Sequence, residues 1–218
     1  MADRDTRKGE TYIREEIIRF AESLYARHDI SLGRAFGAPS REGMPEIQVA
    51  PLEGRFLGML CSLLAVRKAV EVGTLAGYSA IHMARGMPSG SSLWTLEKDP
   101  NHARVARENI AWANLEERVT VLEGEALASL GGLEEEAPFD AVFLDADKGR
   151  YDRYAAWAAD HLRPGGLLLA DNAFFFGRLL EEEPEAQAMR RFHRLVADRF
   201  EATCIPTPDG LVVAIRKE

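Results

Sequence analysis

Two apolar, strand-like segments of the sequence each end in residues that could do chemistry. The run at residues 139–144 is followed by Asp-Ala-Asp-Lys at residues 145–148, and the run at 166–170 is followed by Asp-Asn at residues 171–172. In parallel α/β sheets, ligands bind beyond the carboxyl ends of the strands, so polar residues there are candidates for chemistry rather than for packing. The two junctions are therefore candidate parts of one site.

Three oxygen-bearing side chains at these junctions form a candidate metal site. Asp145, Asp171 and Asn172 could converge on one divalent cation, because carboxylate and amide oxygens are the ligands that hard cations prefer. The amine of Lys148 would lie beside that ion. This combination indicates an enzyme, whereas the alternative for Lys148 is a surface lysine that pairs with Asp145 or Asp147.

A glycine-containing turn is predicted at residues 71–79, Glu-Val-Gly-Thr-Leu-Ala-Gly-Tyr-Ser, between a strand and a helix. Glycine allows close backbone approach, and the start of the helix offers free N–H groups to an anion. A dinucleotide site would have the spacing Gly-x-Gly-x-x-Gly, whereas the glycines here are Gly73 and Gly77, with an acid at Glu71. An acid at this position favours a cationic ligand over a diphosphate.

A nucleoside ligand is indicated by Glu97, which ends the next predicted strand, where a carboxylate can accept both hydroxyls of a ribose. A ligand with a ribose, an ammonium and a carboxylate but no phosphate matches S-adenosylmethionine. Glu71 would then lie near the ammonium, Ser79 and the turn amides near the carboxylate, and Glu97 near the ribose. The alternative is an ordinary glycine turn and a solvated glutamate at a strand end.

The periodicity of apolar residues predicts the elements that position these groups. Strands are predicted at 69–72, 93–96, 119–122, 139–144, 167–170, 201–205 and 211–215. Helices are predicted at 11–28, 53–66, 78–85, 100–113, 126–130, 151–162 and 185–199, with an irregular segment at 31–51. Strands separated by helices indicate an α/β fold with a mostly parallel seven-stranded sheet and helices on both faces. The short connection 206–210 makes the last pair antiparallel.

Length and composition limit the classes of protein. We expect one domain over residues 1–218, with 1–52 forming an N-terminal helix and a substrate or dimer loop and 53–218 forming a Rossmann-like core. The formal charge of −8 argues against broad binding to nucleic acid or anionic membranes. Cys61 and Cys204 are expected to be reduced core residues. The amino terminus has no apolar leader, so a soluble, cytoplasmic protein is expected.

Beyond these patterns, the sequence resembles the cation-dependent O-methyltransferases of the catechol and caffeoyl-coenzyme A type, as a bacterial-like member. The resemblance extends over residues 44–215, most of the chain. The matching motifs are at residues 48–57, 71–79, 124–126, 143–148, 163–166, 171–172 and 209–210. Their order and spacing make the resemblance strong, and it implies the Rossmann-like fold of S-adenosylmethionine-dependent methyltransferases.

The resemblance also implies roles for individual residues. It implies a metal, usually Mg²⁺ but alternatively Ca²⁺ or Mn²⁺, at Asp145, Asp171 and Asn172. It implies contacts with S-adenosylmethionine at Val49, Glu71, Gly73, Thr74, Ser79, Glu97, Ala126, Asp145 and Asp147. Lys148 falls where the family places its catalytic amine, and Met44, Lys148 and Phe176 fall near the substrate. Family members are often homodimers to which the amino-terminal helix contributes.

The chemistry expected of such an enzyme follows from charge. A phenolic hydroxyl has a pKa near 10, so it is a poor nucleophile at neutral pH until a cation stabilises the phenolate. Metal and Lys148 would share that task. Because methyl transfer needs an in-line approach, binding both hydroxyls of a catechol-like diol to one metal would supply orientation.

Several alternatives stay open on the sequence. Phe176 stands where plant relatives typically have an asparagine that holds substrate, which argues against caffeoyl-coenzyme A itself as the substrate. The three phenylalanines at residues 174–176 form either an aromatic wall or a packing surface. The same chemistry could act on a hydroxylated nucleoside in transfer RNA, although net acidity disfavours it. A nicotinamide-dependent oxidoreductase is a further alternative, but this sequence lacks the glycines that such an enzyme uses to bind pyrophosphate. The five histidines lie on predicted helices without metal-ligand spacing and are expected to be packing or surface residues.

Overall fold

A computed structural model of the chain describes residues 13–218, so the predicted start of the first helix at Thr11 lies outside the described residues. The strands are β1 (Lys68–Val72), β2 (Ser92–Glu97), β3 (Val119–Glu123), β4 (Phe139–Leu144), β5 (Leu162–Ala170), β6 (Phe200–Ile205) and β7 (Leu211–Arg216). The α-helices are α1 (Glu15–Tyr25), α2 (Ile30–Phe36), α3 (Ala38–Glu42), α4 (Pro51–Leu63), α5 (Tyr78–Gly86), α6 (Pro100–Trp112), α7 (Ala126–Gly131), α8 (Tyr151–His161) and α9 (Pro184–Arg199). Short 3₁₀ helices occupy Glu134–Glu136, Lys148–Arg150 and Phe175–Gly177.

The seven strands form one sheet in the order β3-β2-β1-β4-β5-β7-β6. β1 pairs in parallel with β2 and β4, and β4 with β5, whereas β7 is antiparallel to both β5 and β6. Strands β2 and β3 therefore extend the sheet on one side of β1, and strands β4 to β7 extend it on the other side. In such sheets the crevice beyond the carboxyl ends at this reversal point is the usual ligand site. The predicted mostly parallel α/β sheet with an antiparallel C-terminal strand is confirmed.

Both faces of the sheet are covered by helices. Val70 of β1 packs in a cluster with Tyr154 of α8, and its neighbour Ala69 packs in a second cluster with Leu57 of α4 and Ile81 of α5. Successive strand residues point to opposite faces, so a strand buried on both sides needs a continuous apolar sequence. This explains why β1 and β4 are mostly apolar on both faces, with Glu71 in β1 and Asp140 in β4 as the acidic exceptions.

Two regions differ from the predicted elements. The segment 31–51 was expected to be irregular but contains α2 and α3. Helix α2 begins where the Asp29 side chain accepts a hydrogen bond from Leu32 N at 2.9 Å. Helix α3 ends at Gly43, whose φ is 66°. β5 begins at Leu162 rather than at 167, because Leu162 pairs with Phe139 before a shift in register.

Among residues 13–218, no helix is long and apolar enough to cross a membrane.

Helices α4 and α5 pack closely because both present glycine at their contact. A Cβ atom on Gly86 would overlap the carbonyl oxygen of Gly58, and one on Gly58 would approach the carbonyl oxygen of His82 at 2.6 Å. Neither neighbour is a flexible side-chain end that can move aside. The two backbones are therefore as close as glycine alone permits.

Replacing Gly86 by alanine should destabilise the protein by about 1–3 kcal/mol or more, as overpacking does. The matched control is Gly131→Ala in α7, where an added Cβ meets nothing within 4 Å. The control should be neutral or more stable by about 0.5–1 kcal/mol, because alanine is the better helix former. Urea unfolding of both variants measures this, and equal stability of the two would contradict the close packing of α4 on α5.

Candidate functional site

A cavity of about 890 Å³ opens beyond the carboxyl ends of the central strands. Most of the residues predicted to form a site share its wall. These are Val49, Gly73, Thr74, Ser79, Glu97, Ala126, Asp145, Asp147, Lys148, Asp171, Asn172 and Phe176. Met44 and Glu71 are the two predicted site residues that do not line it. The fold therefore brings together segments that are far apart in the sequence, at the edge of the sheet where the strand order reverses.

The glycine turn after β1 lies directly against the end of β4. Gly73 has a φ of 101°, and a Cβ atom there would overlap the carbonyl oxygen of Asp145. A side chain at this position would force the two strand ends apart. Gly77, at φ 82°, precedes the first turn of α5, so the N–H groups of that turn and the hydroxyl of Ser79 are available at the cavity wall.

Glu71 lies behind this turn rather than in the cavity. Its carboxylate accepts a hydrogen bond from the Thr95 hydroxyl at 2.5 Å, and Thr95 lies 2.5 Å from the hydroxyl of Thr74. Burial raises the pKa of Glu71 to about 7. Glu71 is thus linked to the turn through Thr95 and Thr74, and its contact with a ligand stays a prediction. Thr95 was not predicted as a site residue, and the only feature of the sequence that points to it is its polar side chain within a largely apolar strand.

Glu97 organises the neighbouring part of the wall. One of its oxygens accepts hydrogen bonds from Leu75 N at 2.9 Å and Thr74 N at 3.4 Å, and the other accepts one from Asp99 N at 2.9 Å. His102 lines the cavity beside it, with Nδ1 3.8 Å from the carboxylate. His102 was expected to be a packing or surface residue, and its place in the wall could not be seen from helical spacing.

The carboxylates after β4 and β5 lie within range of each other's charge. Asp171 is 5% exposed, and its pKa is raised to about 7, first by burial and then by the negative charges of Asp145 and Glu53. Asn172, at φ 53°, follows directly and donates its backbone N–H to Asp171 Oδ1 at 2.7 Å. Asp145, Asp171 and Asn172 all line the cavity, and Asp145 is close enough to Asp171 for its charge to raise the pKa of Asp171.

Lys148 is the cationic group beside Asp145 on this wall. Its amine donates to Asp145 Oδ1 at 3.1 Å and to the hydroxyl of Tyr151 at 2.6 Å. The side chain is 10% exposed, so Lys148 is not the surface lysine of the alternative interpretation, although it does pair with Asp145. An amine held at a cavity wall beside carboxylates can hold a proton at the oxygen of a bound molecule.

The donor set on this wall fits a divalent cation. Among residues 13–218 no three His, Cys, Asp or Glu side chains form a metal-binding group. The predicted set contains only two carboxylates, on Asp145 and Asp171, and takes its third oxygen from the amide of Asn172. Carboxylate and amide oxygens are what Mg²⁺ and Ca²⁺ prefer, and a cation would offset the repulsion that raises the pKa of Asp171.

Four further carboxylates on the cavity wall were not predicted as site residues, those of Glu46, Glu53, Glu125 and Asp209. Burial raises the pKa of Glu53, opposed by a hydrogen bond from Ala50 N and reinforced by the charges of Asp145 and Asp209. Glu53 is held at the start of α4, where its carboxylate accepts a hydrogen bond from Ala50 N at 3.1 Å. Asp209 belongs to the loop before β7, and both line the cavity. The wall around the predicted metal site is therefore strongly acidic.

The predicted substrate residues divide into two groups. Met44 is 6% exposed and packs with Ala38, Ala76 and Val105 in a small core, so its expected contact with substrate stays a prediction. Phe176 lines the cavity and is 56% exposed.

The two phenylalanines before Phe176 pack within the chain. The ring of Phe174 lies where a Cβ atom of Gly210 would be, at 2.7 Å, and Phe175 is buried beneath the guanidinium of Arg178, 4.6 Å from its ring. Phe175 and Phe176 both have positive φ values, 50° and 53°, which non-glycine residues rarely adopt. Only Phe176 of the three is part of an aromatic wall.

Comparison with known proteins places this geometry in a family. The family model described as O-methyltransferase matches residues 31–217. The chain is 39% identical over 215 residues to the catechol O-methyltransferase of Niastella koreensis, covering 93% of this chain and 97% of that protein. It is 35% identical over 209 residues to the catechol O-methyltransferase of Mycobacterium tuberculosis, covering 92% and 94%.

Solved structures agree with these relatives. The O-methyltransferase of Bacillus cereus, in complex with SAH, has a TM-score of 0.89 at 36% identity and covers 93% of this chain and 97% of its own. The O-methyltransferase TomG of Streptomyces achromogenes, in complex with SAM, has a TM-score of 0.90 at 30% identity over 100% of both chains. The predicted family is confirmed: the chain belongs to the O-methyltransferases, enzymes that depend on S-adenosylmethionine.

Proposed function

We propose that this enzyme methylates one hydroxyl of a catechol-like aromatic molecule and that it requires a divalent cation held by Asp145, Asp171 and Asn172. The observation that carries the proposal is that these three side chains and Lys148 line one cavity, in which the Lys148 amine is hydrogen-bonded to Asp145. Two relatives similar over most of the chain are named catechol O-methyltransferases, which supports the same acceptor. Small phenolic molecules are therefore the proposed partners, rather than nucleic acid.

The methyl donor would occupy the part of the cavity between the glycine turn and α7. Glu97 is the proposed partner of the ribose hydroxyls, and Ser79 with the amides at the start of α5 would bind the carboxylate. The remaining proposed contacts of the donor are Val49, Gly73, Thr74, Ala126, Asp145 and Asp147, all on the cavity wall. Asp147 is held in place by a hydrogen bond from Tyr154 at 2.6 Å.

The acceptor would bind between Lys148 and Phe176. When bound, a divalent cation lowers the free energy of the phenolate relative to the phenol. Lys148 would hold or accept the proton at the acceptor hydroxyl, since it lines the same cavity beside Asp145. Phe176 would cover one side of the acceptor and exclude water. Orientation of the attacking oxygen towards the methyl group is the main contribution of this rigid wall.

Removal of divalent metal should abolish turnover. Methyl transfer from labelled S-adenosylmethionine to catechol should fall about 100-fold or more in EDTA and return with excess Mg²⁺, because the phenolate loses its stabilising charge. The same assay with a flavonoid, a caffeoyl thioester and bulk transfer RNA compares the acceptors. Activity that is insensitive to chelation would refute the metal requirement, and preferential methylation of transfer RNA would refute the small-molecule acceptor.

Lys148→Ala should retain binding of S-adenosylmethionine but lose about 10²–10⁴-fold in kcat, the usual contribution of a positioned acid or base. Calorimetry measures the binding and labelled methyl transfer measures kcat. The control is Lys68→Ala, whose amine pairs with Glu136 at 3.4 Å on the protein surface and lies outside the cavity wall. Rates in Lys148→Ala equal to those of the control would remove Lys148 from the mechanism.

We also propose a homodimer and a cytoplasmic location, as the family resemblance led us to expect. Helix α1 supports the dimer, because it contains no buried residue and leaves Ile17, Phe20 and Leu24 49%, 67% and 47% exposed along one face.

Phe20→Glu should convert the proposed dimer to a monomer, because it places a charge in the middle of the apolar face of α1. Sedimentation velocity gives the mass of the particle. Glu16→Gln on the same helix is the matched control and should leave the mass unchanged. A wild-type protein that sediments as a monomer would overturn the proposed dimer without affecting the proposed activity.

A further inference from the structure

Tyr151 is a buried tyrosine whose hydroxyl lies between the candidate catalytic amine and the ends of two strands. It is the first residue of α8 and is 0% exposed. Its hydroxyl oxygen lies 2.6 Å from Lys148 Nζ, 3.1 Å from the carbonyl oxygen of Leu144 and 3.1 Å from that of Asp171. Leu144 ends β4, and Asp171 follows β5.

The direction of these hydrogen bonds is fixed by chemistry. A tyrosine hydroxyl has one proton to donate and lone pairs to accept, carbonyl oxygens only accept, and an ammonium only donates. The phenolic proton therefore goes to the carbonyls of Leu144 and Asp171, and the phenolic oxygen accepts from Lys148. No other assignment satisfies all three partners.

The ring of Tyr151 is held as firmly as its hydroxyl. It packs edge-on against Phe192 of α9, with ring centroids 5.4 Å apart at 73°, and against Tyr154 at 6.4 Å. The amine of Lys148 lies 4.6 Å from the centroid of the Tyr151 ring. A cation at this distance is attracted to the ring face, which adds to the hydrogen bond.

Lys148 needs such a partner to stay in one place. Its four-carbon side chain is flexible, and its other hydrogen-bond partner among residues 13–218 is Asp145 Oδ1 at 3.1 Å. Asp145 is also one of the proposed metal ligands, so its oxygens would bind the cation when metal is present. The Tyr151 hydroxyl, by contrast, is tied to two backbone carbonyls that the sheet fixes.

We propose that Tyr151 is a positioning residue that holds the amine of Lys148 beside Asp145 at the cavity wall. The inference rests on the proposed function for the role of Lys148. Tyr151 does not line the cavity and so acts through Lys148 rather than on a bound molecule. The hydroxyl, not the ring, is the essential part.

Tyr151→Phe should reduce kcat for methylation of catechol by about 10- to 100-fold, because the amine loses its fixed position. KM for S-adenosylmethionine and for catechol should change by less than about threefold, since neither site loses a contact. The matched control is Phe192→Leu, which loosens the packing of the same ring but leaves the hydroxyl in place. If Phe192→Leu lowers kcat as much as Tyr151→Phe, the role of Tyr151 is structural and the inference is wrong.

A double-mutant cycle separates this inference from the proposed function. In a Lys148→Ala background, Tyr151→Phe should have no further effect on kcat, because its only route of action has been removed. Full activity of Lys148→Ala alone would overturn the proposed role of Lys148. Loss in Lys148→Ala together with full activity of Tyr151→Phe, or additive effects of the two changes, would overturn only the inference about Tyr151.

A readout that does not depend on turnover completes the test. Reductive methylation of Lys148 by formaldehyde and a borohydride, followed by peptide mass spectrometry, reports how freely the amine leaves its site. Labelling should be several-fold faster in Tyr151→Phe than in the wild type and unchanged in Phe192→Leu. Equal labelling in Tyr151→Phe and the wild type would show that the hydroxyl does not hold the amine.

Discussion

The contact between the glycine turn and the end of β4 is the constraint on which the site depends. Because Gly73 has no Cβ atom, its backbone can lie against the carbonyl of Asp145, and the ends of β1 and β4 meet without a gap. The side of the cavity formed by the turn, the proposed donor side, is thereby fixed relative to the acidic side formed after β4. Transfer of a group between two bound molecules requires that kind of fixed separation, since orientation contributes much of the rate.

Electrostatic imbalance is the second property of the cavity. Asp145, Asp171 and Glu53 lie close enough for their charges to act on one another, and burial acts with them to raise the pKa of Asp171 and Glu53. Lys148 supplies one positive charge against three carboxylates. The protein accepts this destabilising arrangement at a place where a divalent cation would relieve it, which is typical of sites selected for function rather than for stability.

The sequence predicted most of the fold and the approximate location of the site, because both depend on local pattern. Apolar strands that end in acids, and glycines that begin a helix, are visible in a single sequence. Thr95 and His102 could not be found in that way, because their importance comes from contacts in the folded chain: Thr95 with Glu71 on a different strand, and His102 with Glu97. Met44 shows the same dependence on tertiary packing: the resemblance places it near the substrate, and in the fold it packs against Ala76 in a small core.

One tertiary feature does have a sequence signal in retrospect. Asp145, Lys148 and Tyr151 are spaced three apart, and the 3₁₀ helix Lys148–Arg150, whose period is three, places Lys148 and Tyr151 on the same side. The spacing alone explains why the amine can reach both its carboxylate and its phenol partner. It does not explain the anchor, since the carbonyls that orient Tyr151 belong to Leu144 and Asp171 on neighbouring strands. The motif supplies the carboxylate, the amine and the phenol, and the pairing of β4 with β5 places the two carbonyls that orient the phenol.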